Sequence, residues 1–495
     1  MFAALAKAGP TPAQLDALFD GRRAASVAAA PAFKTAWPAS DPGLEKWLEA
    51  ERAIALAKME ANISPPGAEP GAVAASPSRE NPNYWYHWRR DAALTMQEIV
   101  ALYAQERDPA RKAGFRKQLD DYAAFVRKTQ SEPSPAGLGE PKYNMDGTPF
   151  TGPWGRPQDD SPAEEASTLI AFASVLLQEG HADQARALYG DFGAGIKADL
   201  EYVSHRWDRA SFDVWEEVKA RHFDTETAQR NALLEGAWLA RKLGDEGAAL
   251  WYEKQADGLD GALDRHWDPK RGYLVSALGR EDGLDYKASG LDSAVILAAI
   301  HRRSDDDAAL PPAERAAYSV TDKRVLATAA ALEAAFRAEY PLNGKPGAPA
   351  PAIGRYPEDR YFGGNPWVLL TAAFAQLHYM AAADYLRAGE IRVEKEDVDF
   401  FRDLPVDDRT RAELVEGTAL KNGSPAFAAV IGALAKAGDG FLDCVRRHAN
   451  ADGSLSEQID KDSGYMMSAR DLTWNYASVL SALAARDALS ARRAR

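Results

Sequence analysis

The sequence predicts an all-α fold, an α/α barrel whose helices alternate between an inner and an outer ring. Three observations carry this reading. Apolar residues recur at helical spacing in long segments, while the two-residue alternation of a half-buried strand is scarce. Segments near 92–103 and 367–380 are apolar on nearly all faces, as enclosed helices must be; those near 111–128 and 246–265 carry charge on one side, as an outer layer requires. Twelve such segments can be counted, and long loops at one rim of the barrel they form can build a pocket.

In chain order the predicted helices cover 43–62, 91–106, 109–129, 162–179, 182–205, 226–243, 246–266, 291–302, 321–339, 367–387, 409–437 and 469–488, with ends good to ~2–4 residues. Ser161-Pro162-Ala163-Glu164 reads as a start: serine caps, proline takes the first helical position and glutamate reaches back. Asn365-Pro366 and Ser468-Ala469-Arg470-Asp471 read as starts of the same kind. Gly180, Gly244 and Gly389 stand where a helix end wants a left-handed residue. The stretch 63–83, rich in Pro, Gly and Ser, reads as a loop. An N-terminal extension over 1–40 is expected to pack on the barrel, with residues 41–490 forming one barrel domain.

Composition removes several classes of function. Over 495 residues, 46% hydrophobic and 27% charged side chains describe a globular chain with a large core. No apolar run reaches the ~18 residues of a membrane helix, so no membrane partner is expected. Lys and Arg number 59 against 73 Asp and Glu, and the net charge of −14 repels phosphate backbones, which argues against nucleic acid. Cys444 stands alone, so no intramolecular disulfide or multi-cysteine zinc site is expected. Pro10 and Asp16 interrupt the apolar core a signal peptide needs. The chain therefore reads as cytoplasmic, or as periplasmic or secreted if a signal was removed.

The motifs of zincins, P-loop enzymes and α/β-hydrolases are absent. Asp460-Lys461-Asp462-Ser463-Gly464 breaks the calcium-loop pattern at Gly464 and Tyr465, and Gly137-Leu138-Gly139 lacks the third glycine of a dinucleotide loop. No metal and no cofactor are expected, and the eight histidines read as structural.

What remains is a concentration of aromatics beside carboxylates and arginines at loop or helix-start positions. Sugars ask for this: their C–H faces pack on rings while their hydroxyls need charged or amide partners. Any single Trp is more often core, but polar residues interleave every cluster. The first cluster is Tyr84-Trp85-Tyr86-His87-Trp88-Arg89-Arg90-Asp91. Asp91 is either a helix cap or, with Arg90, a fork for two sugar hydroxyls. The second is Asp213-Val214-Trp215-Glu216-Glu217, where adjacent carboxylates point apart, one suiting an acid and the other substrate binding, each expected to raise the other's pKa. Two solvated surface glutamates are the bland alternative. The third, Gly354-Arg355-Tyr356-Pro357-Glu358-Asp359-Arg360-Tyr361, leads to Asn365-Pro366-Trp367 and reads as a binding loop or a surface salt-bridge loop. The fourth, Gly453-Ser454-Leu455-Ser456-Glu457-Gln458, precedes Trp474, and only a closed barrel rim brings Glu457 to Glu216.

From about residue 47 to 485 these motifs, in order, resemble glycoside hydrolase family 15, the glucoamylases. The stretches Ala75 to Asp91, Gly139-Glu140-Pro141-Lys142-Tyr143-Asn144 through Trp154-Gly155-Arg156-Pro157-Gln158, and those around Trp215, Ser289-Gly290-Leu291-Asp292, Arg355 and Glu457 carry the likeness. The resemblance implies an (α/α)6 barrel of six helical hairpins with the active-site pocket at one rim. It implies Glu216 as general acid, Glu457 as general base, and Glu217 on the sugar of the leaving-group side. It further implies Arg90 and Asp91 on the 4- and 6-hydroxyls of the terminal glucose, and Arg355 on another hydroxyl. Tyr84, Trp88, Trp154, Trp215, Tyr361 and Trp474 would wall the pocket. The expected reaction is inverting, exo-acting hydrolysis of terminal α-1,4-linked glucose from malto-oligosaccharides or starch by a monomer. The two carboxyls should then lie about 6.5–9.5 Å apart. An α-1,6-preferring glucosidase, a trehalase and a non-catalytic glucan-binding protein are the rivals; Glu457 argues against a phosphorolytic enzyme.

Four positions depart from the family pattern. Asp159 and Glu165 stand where fungal relatives carry basic residues, and His87 and Arg89 where small hydroxyl residues are usual. Asp159 and Glu165 put contacts beyond the first glucose in question, and His87 and Arg89 stand beside the substrate fork. No starch-binding module is expected beside the barrel, and soluble oligosaccharides are expected as substrates ahead of granules.

Overall fold

The computed structural model describes residues 43–191, 193–301, 318–345, 347–348 and 350–493. The extension expected over 1–40 lies outside them. Fifteen α-helices and eleven short strands occur among the described residues. Six helices close an inner ring in which each packs on the next: α2 (Arg89–Gln105), α4 (Ser161–Gln178), α7 (Phe223–Lys242), α9 (Ala294–Ile300), α11 (Val368–Ala388) and α15 (Thr473–Arg493), the last returning to α2. Outside them pack α1 (Gly43–Ala61) on α15, α3 (Pro109–Ser131) on α2, α5 (Ala182–Tyr189) and α6 (Ile196–Ser204) on α4, α8 (Glu246–Leu263) on α7, α10 (Lys323–Glu339) on α9, and α14 (Pro425–His448) on α11. This is the alternation of an (α/α)6 barrel. Burial follows the expected division: every residue of α9 and fourteen of α4 are buried, whereas α3 buries only one stripe. One apolar cluster runs through the barrel from Leu48 to Leu489.

Gly180, Gly244 and Gly389 take φ of +84°, +83° and +72° at helix ends, a conformation costly for any residue with a Cβ. Other boundaries differ from the sequence reading. The segment 182–205 is two helices, broken where Gly190 turns left-handed so tightly that a Cβ would meet the Ala194 carbonyl oxygen at 2.2 Å. The segment 409–437 holds α13 (Asp408–Glu413), strand β9 (Ala419–Lys421) and the first half of α14, because left-handed Gly417 and Gly423 turn the chain and Ser424 caps a new start at Pro425. A further short helix, α12 (Val398–Asp403), precedes them.

The helices at all three expected starts are found, with Pro162 in the first turn of its helix, but none of the three expected caps acts as one. Ser161 is the first residue of α4 and caps nothing; Asp160 stands in the cap position with its carboxylate on Arg90. The helix after Asn365-Pro366 begins at Val368, and Asn365 instead donates to the Phe362 carbonyl and to Gln458. Ser468 lies in a strand. Asp160, Asn365 and Ser468 are able to cap but find tertiary partners in Arg90, Gln458 and Glu457 instead.

The strands are short antiparallel ribbons in the connecting loops. Three position the site: β1 (His87–Trp88) with β2 (Lys142–Tyr143), β3 (Ser211–Phe212) with β4 (Val218–His222) and β7 (Ala277–Gly283), and β10 (Ser456–Ile459) with β11 (Met466–Arg470).

Candidate active site

The segments that precede all six inner helices meet at one rim. Residues beside the starts of α2, α7, α11 and α15 line a cavity of about 360 Å3; Asp160 before α4 and Asp292 before α9 support its walls. The positive ends of the helix dipoles are therefore gathered around a site rich in carboxylates.

Glu216 and Glu217 sit at the tip of the β3–β4 hairpin. Asp213 makes the tip: its Oδ1 accepts from the backbone N–H of Glu217 (2.6 Å) and Val218 (3.1 Å), and its carbonyl accepts from the N–H of Glu216 (2.8 Å). Glu216 has φ +68°, a left-handed conformation costing a residue with a Cβ ~1–3 kcal/mol, held by the hairpin on both sides. Behind it the chain passes so close to β7 that a Cβ on Gly283 would stand 2.1 Å from the Glu217 carbonyl oxygen.

The two glutamates face different partners. Glu216 Oε1 accepts from the indole N–H of Trp88 (2.7 Å), the indole N–H of Trp154 (2.8 Å) and the amide of Gln158 (3.0 Å). Three N–H donors thus converge on this one oxygen. Glu217 is buried against Arg355 (2.8 Å) and the Tyr356 hydroxyl (2.6 Å), with Lys287 at 3.8 Å. Its pKa is pushed up to about 7, chiefly by burial, with Arg355 and Lys287 opposing. Burial, rather than the expected repulsion from Glu216, leads this shift. A solvated surface pair is excluded.

Glu457 lies in β10 and is fully buried. Its Oε2 accepts from the Ser468 hydroxyl on β11 and from Gln458 (3.0 Å); its Oε1 is buried without a hydrogen-bond partner. Burial raises its pKa to about 7, opposed by Ser468, Tyr84, Arg355 and Gln458. Tyr84 shares a 2.6 Å hydrogen bond with Tyr361, and its ring meets Trp88 edge-on at 5.3 Å. The Tyr84–Trp88 pair thus spans the wall between Glu457 and Glu216.

Arg90 bonds Gln158 (3.0 Å) and Asp160 (3.0 Å), with Asp91 at 3.3 Å. Burial disfavours its cation, but Asp160, Asp91 and Glu216 outweigh it and hold the guanidinium above its ordinary value. Asp91 is raised to about 6 by burial, against the pull of Arg90. Because α2 begins at Arg89 with Trp88 at its cap position, Asp91 is not the cap. Arg355 is buried among Trp215, Tyr356, Tyr361 and Trp367 and is clamped by Asp359 (2.8 Å), so this is no surface loop. Trp215 donates to Asp292 (2.8 Å), fixing its ring in the wall.

All twelve residues singled out in the sequence line this cavity: Glu216 and Glu457 with Tyr84, Trp88, Arg90, Asp91, Trp154, Trp215, Glu217, Arg355, Tyr361 and Trp474. Gln158, Lys142, Tyr356, Ser468 and Lys287 were given no role there. Four of them stand inside the quoted motifs, and Lys287 lies two residues before one; what was hidden is which neighbour each side chain meets.

The four departures do not line the cavity. Arg89 pairs with Glu165 and with Asp199 (3.1 Å) beneath the rim. Asp159 accepts from Tyr202 (2.8 Å), and His87 Nδ1 accepts from the Val73 N–H (3.0 Å). Arg89 and Glu165 thus neutralise each other inside the scaffold, while Asp159 and His87 are satisfied by Tyr202 and the Val73 N–H.

The profile of the glycosyl hydrolases family 15 matches residues 50–484. Glucoamylase 1 of Rhizopus oryzae is 35% identical over 90% of this chain and 72% of its own length, and a probable glucoamylase of Schizosaccharomyces pombe is 32% identical over 91% and 93%. Among solved structures, the Saccharomycopsis fibuligera glucoamylase aligns with TM-score 0.81 at 30% identity, covering 90% of this chain and 96% of its own. The Hypocrea jecorina family 15 glucoamylase aligns with TM-score 0.80 at 33% identity, over 90% and 73%. With the barrel and matching motifs in hand, the chain belongs to glycosyl hydrolase family 15.

Proposed function

We propose that this protein is an inverting exo-glucosidase that removes single glucose units from the non-reducing ends of α-1,4-linked glucans, releasing β-glucose. The observation that carries the reading is one cavity holding two glutamates that each have one oxygen held by hydrogen bonds. Glu216 keeps one oxygen held by three N–H donors; Glu457 keeps one oxygen held and the other without a partner. Glu216 Oε2 gives its proton to the glycosidic oxygen as the bond to C1 breaks. Glu457 Oε1 takes a proton from the water that attacks C1 from the opposite face, and the oxocarbenium-like charge is flanked by both. Arg90 and Asp91 grip the 4- and 6-hydroxyls of the terminal glucose, which explains release of one sugar at a time. Glu217 and Arg355 hold the hydroxyls nearer the scissile bond. Tyr84, Trp88, Trp154, Trp215, Tyr361 and Trp474 supply ring faces and exclude water.

Proton NMR during early hydrolysis of maltotriose is the test. β-Glucose appearing first supports the reading, and α-glucose appearing first overturns inversion. A parallel panel of isomaltose, panose and trehalose decides linkage: faster release from isomaltose or trehalose than from maltose overturns the α-1,4 preference.

A further inference from the structure

Lys142 stands in β2 directly across from Trp88 in β1, and only 3% of its surface is exposed. Its ammonium is enclosed by four rings, with centroids 3.5 Å away for Trp154, 4.2 Å for Tyr86, 4.2 Å for Phe150 and 4.3 Å for Trp88. The β2 strand turns back so that Phe150 donates its N–H to the Lys142 carbonyl, closing the cage with the lysine's own loop. Two of these rings, Trp88 and Trp154, are the indoles whose N–H groups bond Glu216 Oε1. The cation therefore lies against the faces of the two rings whose edges hold the carboxyl.

We infer that Lys142 is a positioning residue that tunes proton transfer from Glu216 through the two indoles. A cation against an indole face draws electron density toward itself, which makes the ring N–H a stronger donor. A stronger donor favours the ionised carboxyl more than the neutral one. The acid becomes a carboxylate as the glycosidic oxygen is protonated, so polarised donors are worth more in the transition state than before it. Placing the charge against the ring faces adds this stabilisation from the side away from the N–H groups. Other charges face Glu216 as well: Arg90 and Asp91 from α2, with Asp160 behind them, Glu217 beside it on the hairpin, and Glu457 across the cavity. Lys142 differs from these in standing against the faces of the two indoles that donate to Glu216.

The inference rests on Glu216 being the acid, and the experiment separates the two claims. Lys142→Met and Lys142→Gln remove the charge, and Lys142→Arg keeps it. With maltotriose across a pH series, both neutral variants are expected to lose about tenfold in kcat with KM nearly unchanged, and to move the alkaline limb of kcat/KM up by about one pH unit; Lys142→Arg restores both. In a Trp88→Phe/Trp154→Phe background, which keeps rings but removes the N–H donors, Lys142→Met no longer moves the limb. A rise in KM with an unmoved limb overturns the inference, as does an equal shift without the indole donors. If both neutral variants fail to fold while Lys142→Arg folds, lysine serves the scaffold and the inference is overturned too. Glu216→Gln is run alongside: if it stays active, the acid assignment fails. An inactive Glu216→Gln with an unmoved Lys142 limb sinks this inference alone.

Discussion

The indole N–H of Trp88 stands 2.7 Å from Oε1 of Glu216, so a wall residue of the pocket is also a ligand of the proposed acid. Trp154 and Gln158 complete that arrangement, and Gln158 further ties Glu216 to Arg90. The proposed acid and the proposed sugar fork are thus one network.

Breaking that network at its amide should slow the reaction without unfolding the barrel. Gln158→Leu removes one charge-assisted bond, worth ~1.5–3 kcal/mol, and kcat should fall ~10–100-fold with KM changing much less. Steady-state kinetics with an unchanged circular dichroism spectrum checks it; wild-type kcat would count against Gln158 acting on the acid.

Ser468 donates to Glu457, and this hydroxyl is the largest influence holding the carboxyl down against burial. A base must be ionised to work. With the folded value at about 7, removing the donor raises it further, so activity on the acid side of the optimum is lost at higher pH. Ser468→Ala should therefore move the acid limb of kcat/KM upward while leaving the alkaline limb in place. An unmoved or lowered acid limb refutes the link.

Arg89, Glu165 and Asp199 form a buried charge group away from the cavity. Arg89→Met leaves two buried carboxylates without their cation and should cost ~3–5 kcal/mol of stability. Because none of the three lines the pocket, kcat of the folded enzyme should stay within about twofold of wild type. Thermal melting and kinetics below the transition separate the effects; a large kcat loss would assign Arg89 to the site.

Glu51 on α1 is fully buried, neither carboxyl oxygen has a hydrogen-bond partner, and burial with Asp452 pushes its pKa from 4.5 up to about 8. The folded state then binds a proton that the unfolded state releases, so stability falls as pH rises from 4.5 to 8. Glu51→Gln should remove that loss, stabilising by ~1–4 kcal/mol at pH 8 and less at pH 5. Denaturant unfolding at the two pH values decides it; an equal gain at both would mean the carboxyl carries no such penalty.

The sequence by itself determined the barrel, because helical periodicity and the contrast between all-round apolar and one-sided segments are local properties of the chain. It also determined which segments carry chemistry, because aromatics interleaved with carboxylates and arginines can be read from neighbours a few positions apart. Helix caps were less legible than helix positions. Ser161, Asn365 and Ser468 have the chemistry of caps, yet Ser161 is already inside its helix and bonds its neighbour Asp160, Asn365 bonds distant Gln458, and Ser468 lies in a strand. Only the tertiary structure decided that Glu216 and Glu457 share one cavity, that Lys142 stands behind the indoles of Trp88 and Trp154, and that Arg89 answers Glu165. Glu216 and Glu457, and Arg89 and Glu165, are brought together by closure of the inner ring, whereas the Lys142 cage is set by the pairing of β1 with β2 and by the loop that follows β2.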